Sequence, residues 1–178
     1  MKNEYKTKED ITEIYVQSPK YGHFIVLIDT EDLNLILKYS WCVHKINKNF
    51  YCISTNRQYI QLHRLIMSFP KDKLVDHKNH NCLDNRKENL RICTNKQNNH
   101  NQKINKNNTS GVKGVYLNIQ KYKNKEYKYW VSRITHNNKI IHLGSFPYTE
   151  EGKIQAALRY DQEAKKLFGE FALLNFPD

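Results

Sequence analysis

Between Leu62 and Asn101 the chain gathers residue types that can do hydrolytic chemistry: His63, Asp76, His77, Asn85, Asn89 and Asn98, set in a basic, asparagine-rich frame. Hydrolysing a phosphodiester needs a water made nucleophilic, charge neutralised on the phosphate oxygens, and a stabilised leaving alkoxide. His77, with an ordinary pKa of about 6.5, suits the first task. A hard divalent cation held by Asp76 and an amide oxygen suits the other two, because Mg²⁺ prefers oxygen ligands and keeps waters and phosphate oxygens in its shell. Adjacent strand residues point to opposite faces, so Asp76 and His77 can share a site only where the strand ends, and the Lys78-Asn79 loop onset allows that.

The elements that must position these groups follow from pattern. Residues 73–77 and 90–93 read as short strands, and residues 78–88 as a turn-rich loop. Thr94 and Gln97 are spaced as a capping box, so a helix starts there with almost no apolar face. Polar side chains required in a site would explain that composition. Leu62, Leu65, Ile66 and Phe69 predict an amphipathic helix over 62–69, stopped by Pro70, with His63 and Arg64 at its polar edge. Either a phosphate or metal contact or a plain surface pair fits His63 and Arg64. Upstream, residues 11–16 and 24–28 predict a hairpin turned at Pro19-Lys20-Tyr21-Gly22. Residues 31–38 predict a short helix, and 50–54 and 58–62 two strands around Thr55-Asn56-Arg57. This β-rich scaffold covers residues 1–61, with the catalytic unit at 62–103.

Composition narrows the partners. The 178 residues carry a formal charge of +11, and 39% are hydrophobic, compatible with folded units and a polyanionic partner. Residues 1–62 are nearly balanced, whereas residues 63–108 hold 10 Lys+Arg against 4 Asp+Glu, so the excess lies toward the candidate site and beyond it. The absence of a long apolar run and of a leader pattern predicts an intracellular, non-secreted protein without a membrane span. Cys42, Cys52, Cys82 and Cys93 form no C-x-x-C pair and read as small apolar residues rather than a zinc site. His23, His44, His80 and His100 read as surface or packing residues.

The text Leu62-His63-Arg64-Leu65, Val75-Asp76-His77, Leu83-Asp84-Asn85-Arg86, Glu88-Asn89-Leu90-Arg91 and Gln97-Asn98 resembles the HNH (ββα-metal) nucleases, most of all the branch in phage and intron homing endonucleases. The resemblance implies His77 as general base, Asp76 and Asn98 as metal ligands, and Asn89, with Asn85 as a further candidate, bracing the loop and orienting the base. Asn99, His100 and Asn101 crowd Asn98, and a one-residue shift would change which amide meets the metal. One Mg²⁺ or Mn²⁺ per site is implied, with no small-molecule cofactor. Arg86 and Arg91 are expected to face DNA.

Residues 104–109 read as a linker. Beyond it, residues 114–119, 127–135 and 139–144 predict three strands, with a loop at 121–125, and Thr149 caps a helix reaching Phe168. Ser110-Gly111-Val112-Lys113-Gly114-Val115-Tyr116, Trp130-Val131-Ser132-Arg133-Ile134, His142-Leu143-Gly144-Ser145-Phe146, Tyr160-Asp161 and the closing Phe171-Ala172-Leu173-Leu174-Asn175-Phe176-Pro177 resemble the AP2/ERF DNA-binding domain over residues 110–178. That implies a three-stranded antiparallel sheet on one helix. Alternation puts Trp130, Ser132, Ile134 and Ile141 inward, and Val131, Arg133, Thr135, Ile140 and His142 outward. Tyr116, Asn118, Arg133, Thr135 and His142 then read base edges, while Lys113, Lys121, Lys123, Lys125 and Lys128 neutralise phosphates.

The expectation is an α+β protein acting as a site-selective, metal-dependent endonuclease on double-stranded DNA, as a nicking monomer or a homodimer. Homing or mobile-element use comes first, with a restriction-type enzyme or a non-catalytic DNA-binding regulator as alternatives.

Overall fold

A computed structural model describes residues 3–55 and 58–177. The chain divides into two compact units, Met1–Lys96 and Gln97–Asp178. Both are mixed α+β, built on small antiparallel sheets.

In the first unit, β1 (Tyr5–Lys8), β2 (Ile11–Ser18) and β3 (Gly22–Asp29) form a meander. The hairpin between β2 and β3 lies where the turn chemistry puts it, closed by Gly22 at φ 87°. β1 carries no periodic apolar signal because all four of its residues are exposed. The helix expected over 31–38 shrinks to a 3₁₀ turn, Thr30–Asp32, and the single turn α1 (Leu33–Ile36), with Ile36 fully buried. β4 (Cys42–Ile46), β5 (Asn49–Ser54) and the two-residue β6 (Ile60–Gln61) make a second sheet. Asn56 and Arg57 of the expected turn lie outside the described residues.

α2 (Leu62–Ile66) ends earlier than Pro70 requires. Ser68 and Phe69 take φ of 56° and 49°, which a right-handed helix cannot accommodate, and Phe69 swings out to 46% exposure. Arg64 closes this turn by donating to the carbonyls of Lys73 (3.0 Å) and Pro70 (2.9 Å). β7 (Leu74–His77) then pairs with β8 (Leu90–Cys93), placing Asp76 opposite Arg91 and His77 opposite Leu90. One apolar core runs under all of these elements, through Ile14, Val26, Ile36, Trp41, Leu62, Leu65 and Leu90. α3 (Asn95–His100) follows Thr94 and buries none of its residues, as its polar composition requires.

In the second unit β9 (Val115–Tyr122), β10 (Lys125–His136) and β11 (Lys139–Pro147) form a sheet with β10 in the centre, covered by α4 (Glu150–Phe168). The expected loop at 121–125 is a tight turn. Lys123 and Asn124 adopt positive φ, the backbone that two-residue hairpins need, and both strands run further than predicted. Thr149 caps α4, its hydroxyl accepting from Gly152 N at 3.0 Å. Small residues let helix and sheet approach: a Cβ on Gly152 would sit 2.1 Å from the Pro147 carbonyl oxygen. Ala156, Ala157, Tyr160 and Ala164 pack against Val115, Trp130 and Ile134. Ile154 and Leu158 are 46% and 44% exposed, so the inward face is rotated from the one that a simple apolar count gives. Val131, expected outward, is 2% exposed, because it lies on the central strand between Tyr116 and Ser145 and next to a register shift at Ser132/Arg133.

Residues 97–103 group with this second unit. The His100 ring stacks on Phe168 at 3.7 Å, and Lys113 Nζ donates to the carbonyls of His100 (2.8 Å) and Gln102 (2.7 Å). Among the described residues no helix is long and apolar enough to cross a membrane.

Candidate active site

Asp76 and His77 are the last two residues of β7, and both are buried despite being adjacent. The strand end resolves the alternation problem. His77 Nε2 lies 3.4 Å from Asn85 Oδ1. In the tautomer that donates from Nε2 to this amide oxygen, Nδ1 is the basic nitrogen. Burial pulls His77 below its ordinary pKa, opposed by the Asn85 bond and by the Asp76 and Asp84 charges.

The loop 78–88 fixes Asn85 from two directions. Its backbone docks on β3: Leu27 N donates to Leu83 O (2.9 Å), Asn85 N donates to Leu27 O (2.8 Å), and Lys87 N donates to Asp29 Oδ2 (2.7 Å). Within the loop, Asn89 Nδ2 donates to Asp84 O (2.7 Å) and Asn89 Oδ1 accepts from Asn79 N (3.0 Å). The roles expected of the two asparagines thus separate: Asn89 ties the loop, and Asn85 meets the imidazole. Asn85 is fully buried, and its Nδ2 has no hydrogen-bond partner.

Asp84 accepts two bonds from Arg86, at 2.8 Å each, and one from Asn79 Nδ2 (2.9 Å). Burial raises the Asp84 pKa, but the Arg86 bonds and charge outweigh it and hold the carboxyl below its usual range. Arg86 also pairs with Glu88. Arg91 is itself buried and places Nε and Nη2 at 3.0 and 2.8 Å from Asp76 Oδ2. Arg86 and Arg91, expected to face DNA, are therefore engaged with carboxylates of the site, because the β7–β8 register and the loop turn bring them onto Asp76 and Asp84.

His63 lies inside rather than at a polar edge, 6% exposed, with its ring 5.1 Å from that of His77. Burial, with the nearby His77 and Arg64, lowers its pKa to about 3. Tyr51 completes the cluster, with ring centroids 5.8 Å from His63 and 6.3 Å from His77. Burial raises its hydroxyl to about 12. Sequence reasoning missed Tyr51: strand alternation gave β5 two faces without saying that one of them meets α2 and β7. The four cysteines are free thiols, three of them buried, as expected of small apolar residues.

The donor chemistry fits a hard divalent cation. Asp76 is a buried carboxylate whose Oδ2 is held by Arg91, which orients the group. Beside it, burial favours the neutral forms of His63 and His77, so these neighbours add no positive charge to repel a cation. Asn98, expected as the second ligand, lies beyond the division, in the second unit.

On the sheet of the second unit, Arg133 lies over the Tyr116 ring at 4.4 Å, and Asn118 donates to the Tyr129 hydroxyl. Arg133, Thr135 and His142 are exposed, and Tyr116 and Asn118 half-buried. Lys113, expected to contact phosphate, is instead drawn inward by its two carbonyl acceptors, and burial lowers it to about 8.

A family model described as HNH endonuclease matches residues 62–100, the stretch that holds His63, the two buried residues at the end of β7, and the loop that braces them. An uncharacterized HNH endonuclease of Acanthamoeba polyphaga mimivirus is 38% identical over 149 residues, covering 79% of this chain and 69% of that protein. No solved structure matches the chain significantly. The chain belongs to the HNH endonuclease family, and it is a nuclease acting on DNA.

Proposed function

We propose that the chain cleaves double-stranded DNA at a selected site, with hydrolysis in the first unit and duplex reading on the sheet of the second. The observation that carries the first half is the His77 Nε2 to Asn85 Oδ1 contact at 3.4 Å beside a buried, arginine-held Asp76. Asn85 fixes the imidazole, so that Nδ1 takes the proton of the attacking water. Held neutral by burial, His77 is ready to accept it. Asp76 is the carboxylate that would hold the divalent ion, and Arg91 positions it. A bound Mg²⁺ or Mn²⁺ supplies charge neutralisation on the phosphate and at the leaving oxygen. Asn89 keeps the loop closed, and His63 packs the base from behind. Water attack at phosphorus leaves a 5′-phosphate and a 3′-hydroxyl.

An AP2/ERF-like role for residues 110–178 is supported by a three-stranded antiparallel sheet on one capped helix, with Tyr116, Asn118, Arg133, Thr135 and His142 on the face away from that helix. Separate cutting and reading units suit a homing or other mobile-element enzyme, which must find one site among many. The test is incubation of supercoiled plasmid carrying the native locus with wild type, His77→Ala and Asp76→Ala, in Mg²⁺, Mn²⁺ or EDTA. Metal-dependent conversion to open-circular or linear DNA, lost in both variants while duplex binding persists, is the expected result. Full cleavage by either variant would sink the assignment.

A further inference from the structure

The distal half of the second-unit sheet displays side chains that neither its core nor the duplex reading uses. Residues 119–122 of β9 and 125–128 of β10 are all exposed, on both faces of the hairpin, so the ribbon runs on past the helix that covers its base. Residues directly opposite one another in a ladder share a face. Trp130 and its partner Leu117 pack in the core under α4. The pairs Val131 with Tyr116, Tyr129 with Asn118, Tyr127 with Gln120, and Lys125 with Tyr122 therefore point the other way.

Every tyrosine of these two strands, Tyr116, Tyr122, Tyr127 and Tyr129, falls on that one outer face. Tyrosine is a good strand former, and propensity alone would explain its abundance. Propensity is blind to the face, however, and would leave some of the four inward. Tyr122 and Tyr127, on the free part of the ribbon, are 63% and 50% exposed. Lys123 Nζ lies 5.3 Å from the Tyr122 ring, and Lys121, Lys125 and Lys128 flank the same segment.

We propose that this ribbon binds unpaired DNA, with bases stacked on Tyr122 and Tyr127 and the four lysines along the phosphates. Exposed aromatic faces alternating with cations suit bases whose own faces are open, whereas duplex bases are already stacked on each other. Lysines alone would serve for duplex phosphates. This is a second binding mode beyond duplex reading, and it places locally opened or single-stranded DNA among the ligands of the chain.

The test is fluorescence anisotropy of the full chain, without divalent metal, on labelled oligothymidylate, oligouridylate and a duplex, with circular dichroism to check folding. Tyr122→Ala and Tyr127→Ala should each weaken oligothymidylate binding by about tenfold while leaving duplex binding unchanged, and Tyr122→Phe and Tyr127→Phe should retain it. Unchanged oligothymidylate binding in folded alanine variants would overturn the proposal. So would equal losses on duplex and single strand, a loss in the phenylalanine variants matching that in alanine, or tighter binding of oligouridylate. Because the duplex is a separate arm, failure of duplex reading is distinguishable from failure of this inference.

Discussion

His63 and His77 face each other edge to face, their ring centroids 5.1 Å apart and their planes at 69°, and both are buried. Burial first, and the neighbouring His77 and Arg64 after it, bring His63 down to about 3. In the unfolded chain a histidine protonates near 6.5, so the unfolded state takes up protons first as the pH falls. Stability contributed by the neutral His63 is complete above about pH 6.5 and is lost progressively between about 6.5 and 3. Urea unfolding across that range should show the slope, and His63→Phe, which keeps a buried ring without a titrating group, should flatten it. The residual slope belongs in part to His77, which burial lowers as well.

Arg91 and Asp76 form a pair with side chains only 8% and 10% exposed. Removing one member of a buried pair strands the other charge, at a cost of about 3–5 kcal/mol. Arg91→Ala should therefore lower the urea midpoint of the first unit by an amount of that order. Arg91→Lys should recover part of the loss, since it restores charge without the two-nitrogen contact to Oδ2. A loss below about 1 kcal/mol, as for an exposed pair, would show that Arg91 does not hold Asp76.

Much of this site was legible as spacing, because Asp76 with His77, and the loop that follows, are local in sequence. The helix cap at Thr149 and the turn at Gly22 were legible for the same reason. What was not legible is tertiary. Nothing local says that β3 would seat the 83–87 segment, so the exchange of roles between Asn85 and Asn89 came only with the fold. Arg86 and Arg91 looked like surface cations until the β7–β8 register set Arg91 against Asp76 and the loop turn set Arg86 against Asp84. Tyr51 gave no signal, since its importance comes from two other elements meeting β5. α2 stopped short through left-handed backbone at Ser68 and Phe69, which no propensity scale anticipates.

Gly114 has φ 77°, and a Cβ there would fall 1.9 Å from Tyr160 Cδ2. Backbone and ring conflict together, so Gly114→Ala should destabilise the second unit by about 1–3 kcal/mol. Gly111→Ala is the control, at φ 78° with nothing within 4 Å of the added carbon. It should cost less, by the packing part alone, and thermal unfolding of the two variants separates strain from overlap. Equal losses would mean that Tyr160 moves aside freely.

Lys113 separates a buried tie from a phosphate contact. Its ammonium donates to two main-chain carbonyls, at 2.8 and 2.7 Å, and burial lowers its pKa to about 8. Between about 8 and the unfolded value of 10.5 the unfolded chain holds the proton more tightly, so stability should rise with pH across that window and be lower beneath it. Lysine side-chain NMR should give a titration midpoint near 8 for this residue. Because the ammonium is turned inward, Lys113→Met should leave the salt dependence of duplex binding unchanged. A residue that neutralises a phosphate would, when removed, reduce the slope of log affinity against log salt by about 0.9. A drop of that size in Lys113→Met would return the side chain to the DNA, and the same measurement on Arg133→Ala, an exposed member of the outer face, supplies the contrast.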